Sequence, residues 1–359
     1  MIPTMNSTIR EQAKKIRRGK IISILLAGGL VIVTAFFSLF VGSSGMPFSE
    51  GLKALFGNGT VSGVRIMQNI RLPRILAALI AGAGLSVSGL MMQTVLNNPM
   101  ASPSTLGVSN AAVFGANLSI IGFAGGFLST GHNPANYMTG ANPFAVSSVA
   151  FVFAVLSVIL ILGLSKLRDF SPNVVVLAGI AIGALFTAAT TILQFYATDV
   201  GLSAAVIWNF GDLGRATYET DLIMAGVVIV GIAFSAVMSW RFNALLSGAE
   251  TARSMGIRVG VLRFLALFFS SVITAVAVSF LGVIGFMGVI CPHVAKKIWG
   301  QDHRYAIPAS ALTGSFLLVA ADTLSRTIGH GSALPVGAVT SLAGAPFFLM
   351  LIFAKGDRR

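Results

Sequence analysis

Long apolar runs constrain the fold of this 359-residue chain more than any other feature. A helix needs about 20 mostly apolar residues to cross the hydrocarbon core of a bilayer. Charged residues make up only 10% of the sequence, whereas soluble proteins carry roughly 25%. The sequence therefore predicts an all-α polytopic membrane protein with about ten transmembrane helices. The predicted spans are residues 21–42, 72–94, 104–123, 142–164, 172–196, 221–240, 263–281, 285–299, 305–327 and 335–354.

The eighth span is the shortest, but the distribution of basic residues favours keeping it. Its roughly 15 residues would rise about 22 Å, less than the roughly 30 Å core. Cytoplasmic loops hold an excess of lysine and arginine. With ten spans and a cytoplasmic N-terminus, 18 of the 24 basic residues lie inside, including the basic N-terminal segment 1–20 and the C-terminus. Both termini are therefore predicted to be cytoplasmic, and loop 124–141 is predicted to be an external cap.

The stretch "GFMGVICPHVAKKIWGQDHR" resembles a metal or catalytic site but lacks the required spacing. Cys291, the only cysteine, lies two residues from His293, so in a helix their side chains point about 200° apart. No HExxH motif occurs, and no carboxylate accompanies His132 or His330 at metal-ligand spacing. We therefore predict no metal site, no catalytic residue and no bound cofactor.

One acidic residue lies well inside a predicted span, and it has a nearby partner. Arg326 follows Asp322 by one helical turn, which predicts a local ion pair near the outer interface. An ion-coupled carrier would need carboxylates or broken helices aimed at its ion near the midplane. A secondary transporter is therefore the less favoured alternative.

Two further arginines stand at the outer start of the second span, against the general bias of positive charge to the inside. Arg71 and Arg74 lie in "RLPRILAAL", close to one turn apart. Arginine offers a rigid fork for carboxylates, so this pair and Arg326 suggest an acidic partner on the outside. The alternative is simple snorkelling of the side chains to the membrane interface.

Small and polar residues recur at helical spacing in several spans. Stretches such as "AGAGLSVSG", residues 81–89, and "LAGIAIGALFTAAT", residues 177–190, predict tight helix packing. On the fifth span, one stripe combines the polar residues Thr187, Thr190, Thr191 and Gln194. This stripe predicts the wall of a wet translocation path, with simple packing as the alternative.

The inner loop 241–262 is the most informative soluble segment. Gly248 and Gly256 bracket "AETARSM", which predicts a short amphipathic helix between two tight turns. Such a helix is suited to dock a cytoplasmic partner, and the alternative is an interfacial helix on lipid. The candidate docking residues are Gly248, Ala249, Glu250, Thr251, Ala252, Arg253, Ser254, Met255 and Gly256.

Four stretches resemble the FecCD-type permease subunits of type II ATP-binding-cassette (ABC) importers, which take up iron–siderophore complexes, haem and vitamin B12. The first is "NIRLPRILAALIAGAGLSVSGLMMQTVLNNPMASPSTLGVS" and the second is "LLSGAETARSMGI". The third is "FLGVIGFMGVICPHVAKKIWGQDHRYAIPASALTGSFLLVAADTLSR", and the fourth is "LPVGAVTSLAGAPFFLMLI". The resemblance covers nearly the whole chain in order, with one departure at Ala333, where family members often carry glutamate.

The resemblance implies one permease domain over residues 1–359, with an inverted relation between spans two to five and seven to ten. It implies a second permease subunit, identical or paralogous, and two ATPase subunits that receive the loop around Gly248 to Gly256. It also implies a substrate-binding protein whose glutamates meet Arg71, Arg74 and Arg326.

The chain itself carries no GxxxxGK[ST] phosphate loop, so ATP would be used by the separate ATPase. The expected location is the cytoplasmic membrane of a prokaryote. The favoured cargo is a ferric siderophore, with haem or a corrinoid as alternatives.

Overall fold

The computed structural model describes residues 5–42, 45–123, 143–328 and 333–353, and the predicted external cap at 124–141 lies outside these ranges. All the regular elements longer than one turn in the described ranges are helices. In chain order they are α1 (Met5–Phe40), α2 (Phe48–Leu55), α3 (Val61–Val95), α4 (Val108–Phe123), α5 (Pro143–Lys166), α6 (Pro172–Phe195), α7 (Asp199–Asn209), α8 (Tyr218–Val237), α9 (Ser239–Leu246), α10 (Ala249–Ser254), α11 (Val259–Leu281), α12 (Met287–Trp299), α13 (His303–Ile328) and α14 (Val336–Phe353).

The ten predicted spans correspond to ten of these helices. In the described ranges, α1, α3, α5, α6, α8, α11 and α13 are long and apolar enough to cross a bilayer. Two of the other predicted spans correspond to the shorter apolar helices α4 and α14, and the eighth corresponds to the 13-residue helix α12. The polytopic all-α prediction is therefore confirmed. Between α6 and α8 the chain forms the additional 11-residue helix α7.

The second span begins earlier than the sequence predicts. Its helix starts at Val61 instead of residue 72, because Arg65–Arg71 continues it as a π-helical segment. Such a segment is a wider turn inserted in an otherwise α-helical path. It joins the helix to Leu72, after which the regular α-helical part runs to Val95.

Helix α3 is the centre of the bundle, packed against α8, α11, α12 and α13. Glycines make the close approaches possible. The backbone of Gly82 meets that of Gly314 on α13, and Gly89 meets Gly288 on α12, so that a methyl group on either α3 glycine would collide with backbone atoms. On α6, Gly183 approaches Gly107 just before α4. The tight packing predicted from the small residues is confirmed.

The eighth span is short because the chain is not helical before it. Helix α11 ends at Leu281, and α12 starts only after Phe286, which adopts a left-handed conformation with φ of 63°. Within this connection Gly282 and Val283 pack against Gly211 and its neighbours. Asp212 donates its N–H to the carbonyl of Leu281, so one backbone group freed by the break has a partner inside the protein.

Candidate functional site

Arg74 of α3 and Asp322 and Arg326 of α13 form a buried ionic cluster, on the side of the bundle that the sequence predicts to be the outer one. One oxygen of the fully buried Asp322 accepts from Nε of Arg74 at 2.7 Å, and the other accepts from Nε of Arg326 at 2.9 Å. The Asp322–Arg326 pair predicted from the sequence is therefore confirmed. The link from Asp322 to Arg74, across 248 positions of sequence, was not predicted.

The same arginines close the outer end of α1. Arg326 donates to the carbonyls of Val41 and Ser38 and to the hydroxyl of Ser38, while Arg71 donates to the carbonyl of Leu39. The last carbonyls of a helix have no partner within it, and cations are favourable there. The cluster and these contacts fasten three helix ends to one another.

Burial separates these three arginines from the outer surface of the chain. Arg71, Arg74 and Arg326 are only 5%, 8% and 9% exposed. The basic side chains that are exposed near this face are Lys53 on α2 and Arg65 on α3. The structure thus brings the three predicted docking residues together, but it turns their donors mainly inward. Their docking role stays a prediction.

The polar stripe on α6 faces α4 in part. Thr187 and Thr191 are exposed, Gln194 is half-buried and Thr190 is buried. All three threonine hydroxyls donate to carbonyls of α6 itself, four residues back, which satisfies them locally. The role of this stripe in a translocation path stays a prediction.

Amide side chains that sequence analysis missed extend the stripe. Asn110 of α4 donates to the hydroxyl of Thr187 at 2.9 Å. Gln194 donates to Asn117 at 2.9 Å, and Asn117 donates to Asn209 of α7 at 3.1 Å. The "VSNAAVFGAN" segment does place both asparagines seven residues apart, two turns along one face, which is a signal that could have found them.

The inner loop contains the predicted short helix. Gly248 and Gly256 have φ of 107° and 79°, a region that favours glycine, and α10 lies between them. Ala252 is fully buried, whereas Glu250 and Arg253 are exposed and pair at 2.6 Å. Met255 follows the helix and is 52% exposed, so it does not pack with Ala252. The amphipathic helix is confirmed, and its partner stays a prediction.

A polar network ties this loop to the inner ends of α3 and α13. Asn243 on α9 accepts the backbone N–H of His303 at 2.8 Å and donates to Asp302 at 2.7 Å. The ring nitrogen Nδ1 of His303 lies 2.9 Å from the same Asn243 oxygen, and Nε2 lies 2.8 Å from the hydroxyl of Thr94 on α3. Partial burial raises the pKa of Asp302, but donation from the Arg304 N–H and the Asn243 amide outweighs this and lowers it overall. The carboxylate is thereby kept charged.

The cysteine–histidine segment forms part of α12. Cys291 is fully buried in the apolar core shared with α3 and α13. Within the described ranges, no three His, Cys, Asp or Glu side chains lie close enough to hold a metal ion. The histidines at 132 and 330 lie outside those ranges. Nearby, Lys296 donates to Gln93 of α3 at 2.6 Å, so the polar groups of this segment hold helices together.

Fold and site together define a polytopic helical membrane protein whose central pair, α3 and α13, is fastened by polar contacts at both ends. The family model of the FecCD transport family matches residues 30–354. The chain therefore belongs to the FecCD transport family.

Two relatives match nearly end to end, and a third matches over about three quarters of its length. MJ0087 of Methanocaldococcus jannaschii, which is named as an ABC transporter permease protein, is 44% identical over 93% of this chain and 96% of its own length. The hemin transport system permease protein HmuU of Yersinia pestis is 33% identical over 95% and 99%. The cobalamin import system permease protein BtuC of Halobacterium salinarum is 36% identical over 80% and 73%. A metal-chelate type ABC transporter, solved in an inward-facing conformation, matches with a TM-score of 0.78 and 26% identity, covering 92% of this chain and 98% of that chain.

Proposed function

We propose that the chain is the membrane-spanning permease subunit of an ATP-driven importer for a metal chelate, with a ferric siderophore as the favoured cargo. The observation that carries this proposal is the family match over residues 30–354, within which the fold supplies the bundle and the inner loop. The chain acts as a permease rather than an enzyme. It lies in the cytoplasmic membrane of a prokaryote, with both termini on the inside.

The inner loop is the contact for a separate ATPase. Helix α10 presents charged side chains outward and buries Ala252, which gives it a docking surface and an anchor. The hydrogen bonds of Asn243 and His303 connect the loop to Thr94 and hence to α3. Movement of the loop on ATP binding would therefore reach the centre of the bundle. Two ATPase subunits would serve two permease subunits, identical or paralogous.

On the outside, a substrate-binding protein delivers the chelate to the face that holds Arg71, Arg74 and Arg326. These three side chains are largely buried, whereas Lys53 and Arg65 are exposed, so both sets contribute positive charge to this face. Acidic groups of a binding protein would be drawn to such a face. Ala333 is exposed beyond α13 and carries no charge, so a contact that a glutamate would make there is missing.

The stripe on α6 and its amide partners form one wall of the cargo path in this proposal. The amides and hydroxyls of Asn110, Thr187 and Gln194 can contact a chelate through its organic shell without ligating the metal. This is a polar lining that would also accept haem or a corrinoid, so HmuU and BtuC keep these two alternatives open.

Ligand binding by the cognate substrate-binding protein tests the choice of cargo. We expect tight binding of a ferric siderophore and at least hundredfold weaker binding of haem and cobalamin, because each cargo needs its own complementary cleft. Tryptophan fluorescence titration with the three ligands measures this. Tight binding of cobalamin or haem, without binding of ferric chelates, would replace the siderophore by that cargo.

A further inference from the structure

A cleft of about 380 Å³ lies between the middle of α1 and the start of α13. Its rim carries two exposed guanidinium groups, Arg17 and Arg304. None of the ion pairs in the described ranges involves either arginine. Asp302 lies beside Arg304 without a salt bridge to its side chain, and two cations against one anion leave the opening positively charged, which favours a negatively charged ligand.

The wall of the cleft is apolar and continues along the two helices. It consists of Ile21, Ile24 and Leu25 from α1 and Pro308 from α13, with Tyr305 near the rim. Charge at one end and hydrocarbon along the side match an amphiphile, whereas a soluble anion would gain nothing from the apolar wall. The volume is within the range of small-molecule sites.

The position of α1 indicates where such an amphiphile comes from. Only 17% of the residues in the apolar part of α1 are buried, the smallest share among the long spans of the described chain. Leu25 and Leu26 are 69% and 70% exposed. Helix α1 is therefore peripheral in the chain, and its exposed apolar surface can contact lipid.

Local contacts fix the shape of the cleft. Lys20 lies 5.2 Å from the centre of the Tyr305 ring, a cation–π contact between α1 and α13. The indole N–H of Trp299 donates to Ser23 at 2.8 Å, which holds α1 to α12. Helix α1 is thus joined to α13 and α12 beside the cleft, so Arg17 and Arg304 line the same opening before any ligand binds.

We propose that this cleft binds one anionic phospholipid of the cytoplasmic leaflet, with the phosphate between Arg17 and Arg304 and an acyl chain along Ile21, Ile24 and Leu25. The assignment to this leaflet uses the proposed orientation of the chain. Basic pockets between helices on the cytoplasmic side recognise anionic headgroups. None of the residues that line the cleft belongs to the inner loop 241–262 or to the α6 stripe, so lipid binding can be measured without transport.

Native mass spectrometry of the full-length chain in detergent tests the proposal, with dioleoyl phosphatidylglycerol and dioleoyl phosphatidylcholine as probes. We expect one phosphatidylglycerol to be retained preferentially. Arg17→Gln with Arg304→Gln should weaken its binding about 25-fold, because each basic residue near an anionic lipid contributes roughly fivefold. Both side chains are exposed, so the variant should keep its fold, which size-exclusion chromatography checks.

The matched control is Arg18→Gln with Lys297→Gln, which removes the same charge from two exposed residues that do not line the cleft. Retention of phosphatidylglycerol by this control at the unmodified level supports a specific site. Equal weakening in both variants would reduce the effect to general surface charge and overturn the proposal. Equal retention of phosphatidylcholine, or of glycerol 3-phosphate without acyl chains, would also overturn it.

Discussion

Asp322 links α3 to α13 through its contacts with Arg74 and Arg326. It is fully buried, and each of its oxygens accepts from a different arginine. Removing one member of a buried ionic group leaves uncompensated charge, which typically costs 3–5 kcal/mol. Asp221 is a second buried acid, in the first turn of α8, and neither of its oxygens has a hydrogen-bond partner. The two aspartates form a natural contrast.

We expect Asp322→Asn to lower the free energy of unfolding by about 3 kcal/mol, because Arg74 and Arg326 would share no anion. The control, Asp221→Asn, should change it by less than about 1 kcal/mol, because no hydrogen bond is lost and only the favourable helix N-terminal charge is removed. Thermal unfolding of the full-length chain in detergent measures both. Equal decreases in the free energy of unfolding of the two variants would contradict this prediction, because the contacts of Asp322 with the two arginines would then add no stability.

At the scale of elements, α3 and α13 behave as one antiparallel unit. Their outer ends share the Arg74–Asp322 contact, their centres meet at Gly82 and Gly314, and their inner ends share the contact of Thr94 with His303. Helix α9 joins the inner end through Asn243. The short helix α10 is therefore the exposed end of a continuous set of contacts that reaches the bundle centre.

The docking role of α10 predicts a loss of assembly without a loss of folding. Thr251→Arg with Met255→Asp changes two exposed residues of the loop, so the fold should survive while the partner surface is spoiled. Co-purification of the ATPase should fall at least tenfold, as expected when charge is forced into a contact. Arg168→Glu, at an exposed position between α5 and α6 and outside the inner loop, is the control. Unchanged co-purification of the double variant would show that the ATPase docks elsewhere.

Local pattern was enough to predict the helices and the loop, but not the long-range polar contacts. Apolar runs and basic residues predicted ten spans, and Gly248 and Gly256 predicted the bounds of α10, since turn geometry is a local property. The Asp322–Arg326 pair was also local, one turn apart. The link from Arg74 to Asp322 and the contact of His303 with Thr94 depend on how distant helices pack. The same packing buries arginines that their sequence position suggested were outward.

At the scale of the whole molecule, the chain is a helical bundle with an ionic cluster toward one end and, toward the other, the loop that we propose docks an ATPase. The family model spans residues 30–354, and relatives align along nearly all of their length. Of the two buried aspartates, Asp322 is paired with two arginines and the unpartnered Asp221 lies in the first turn of α8, so neither is a free carboxylate at the middle of a span that could couple transport to an ion gradient. Energy is therefore expected to come from ATP through the inner loop.

Uptake by proteoliposomes that contain the chain, its ATPase and its partner permease tests this most directly. With the binding protein and a radiolabelled ferric siderophore supplied, we predict uptake that requires hydrolysable ATP at the cytoplasmic side and is unaffected by ionophores. Removal of the ATPase should abolish it. Uptake that persists without the ATPase and collapses when the ion gradient is dissipated would contradict the account.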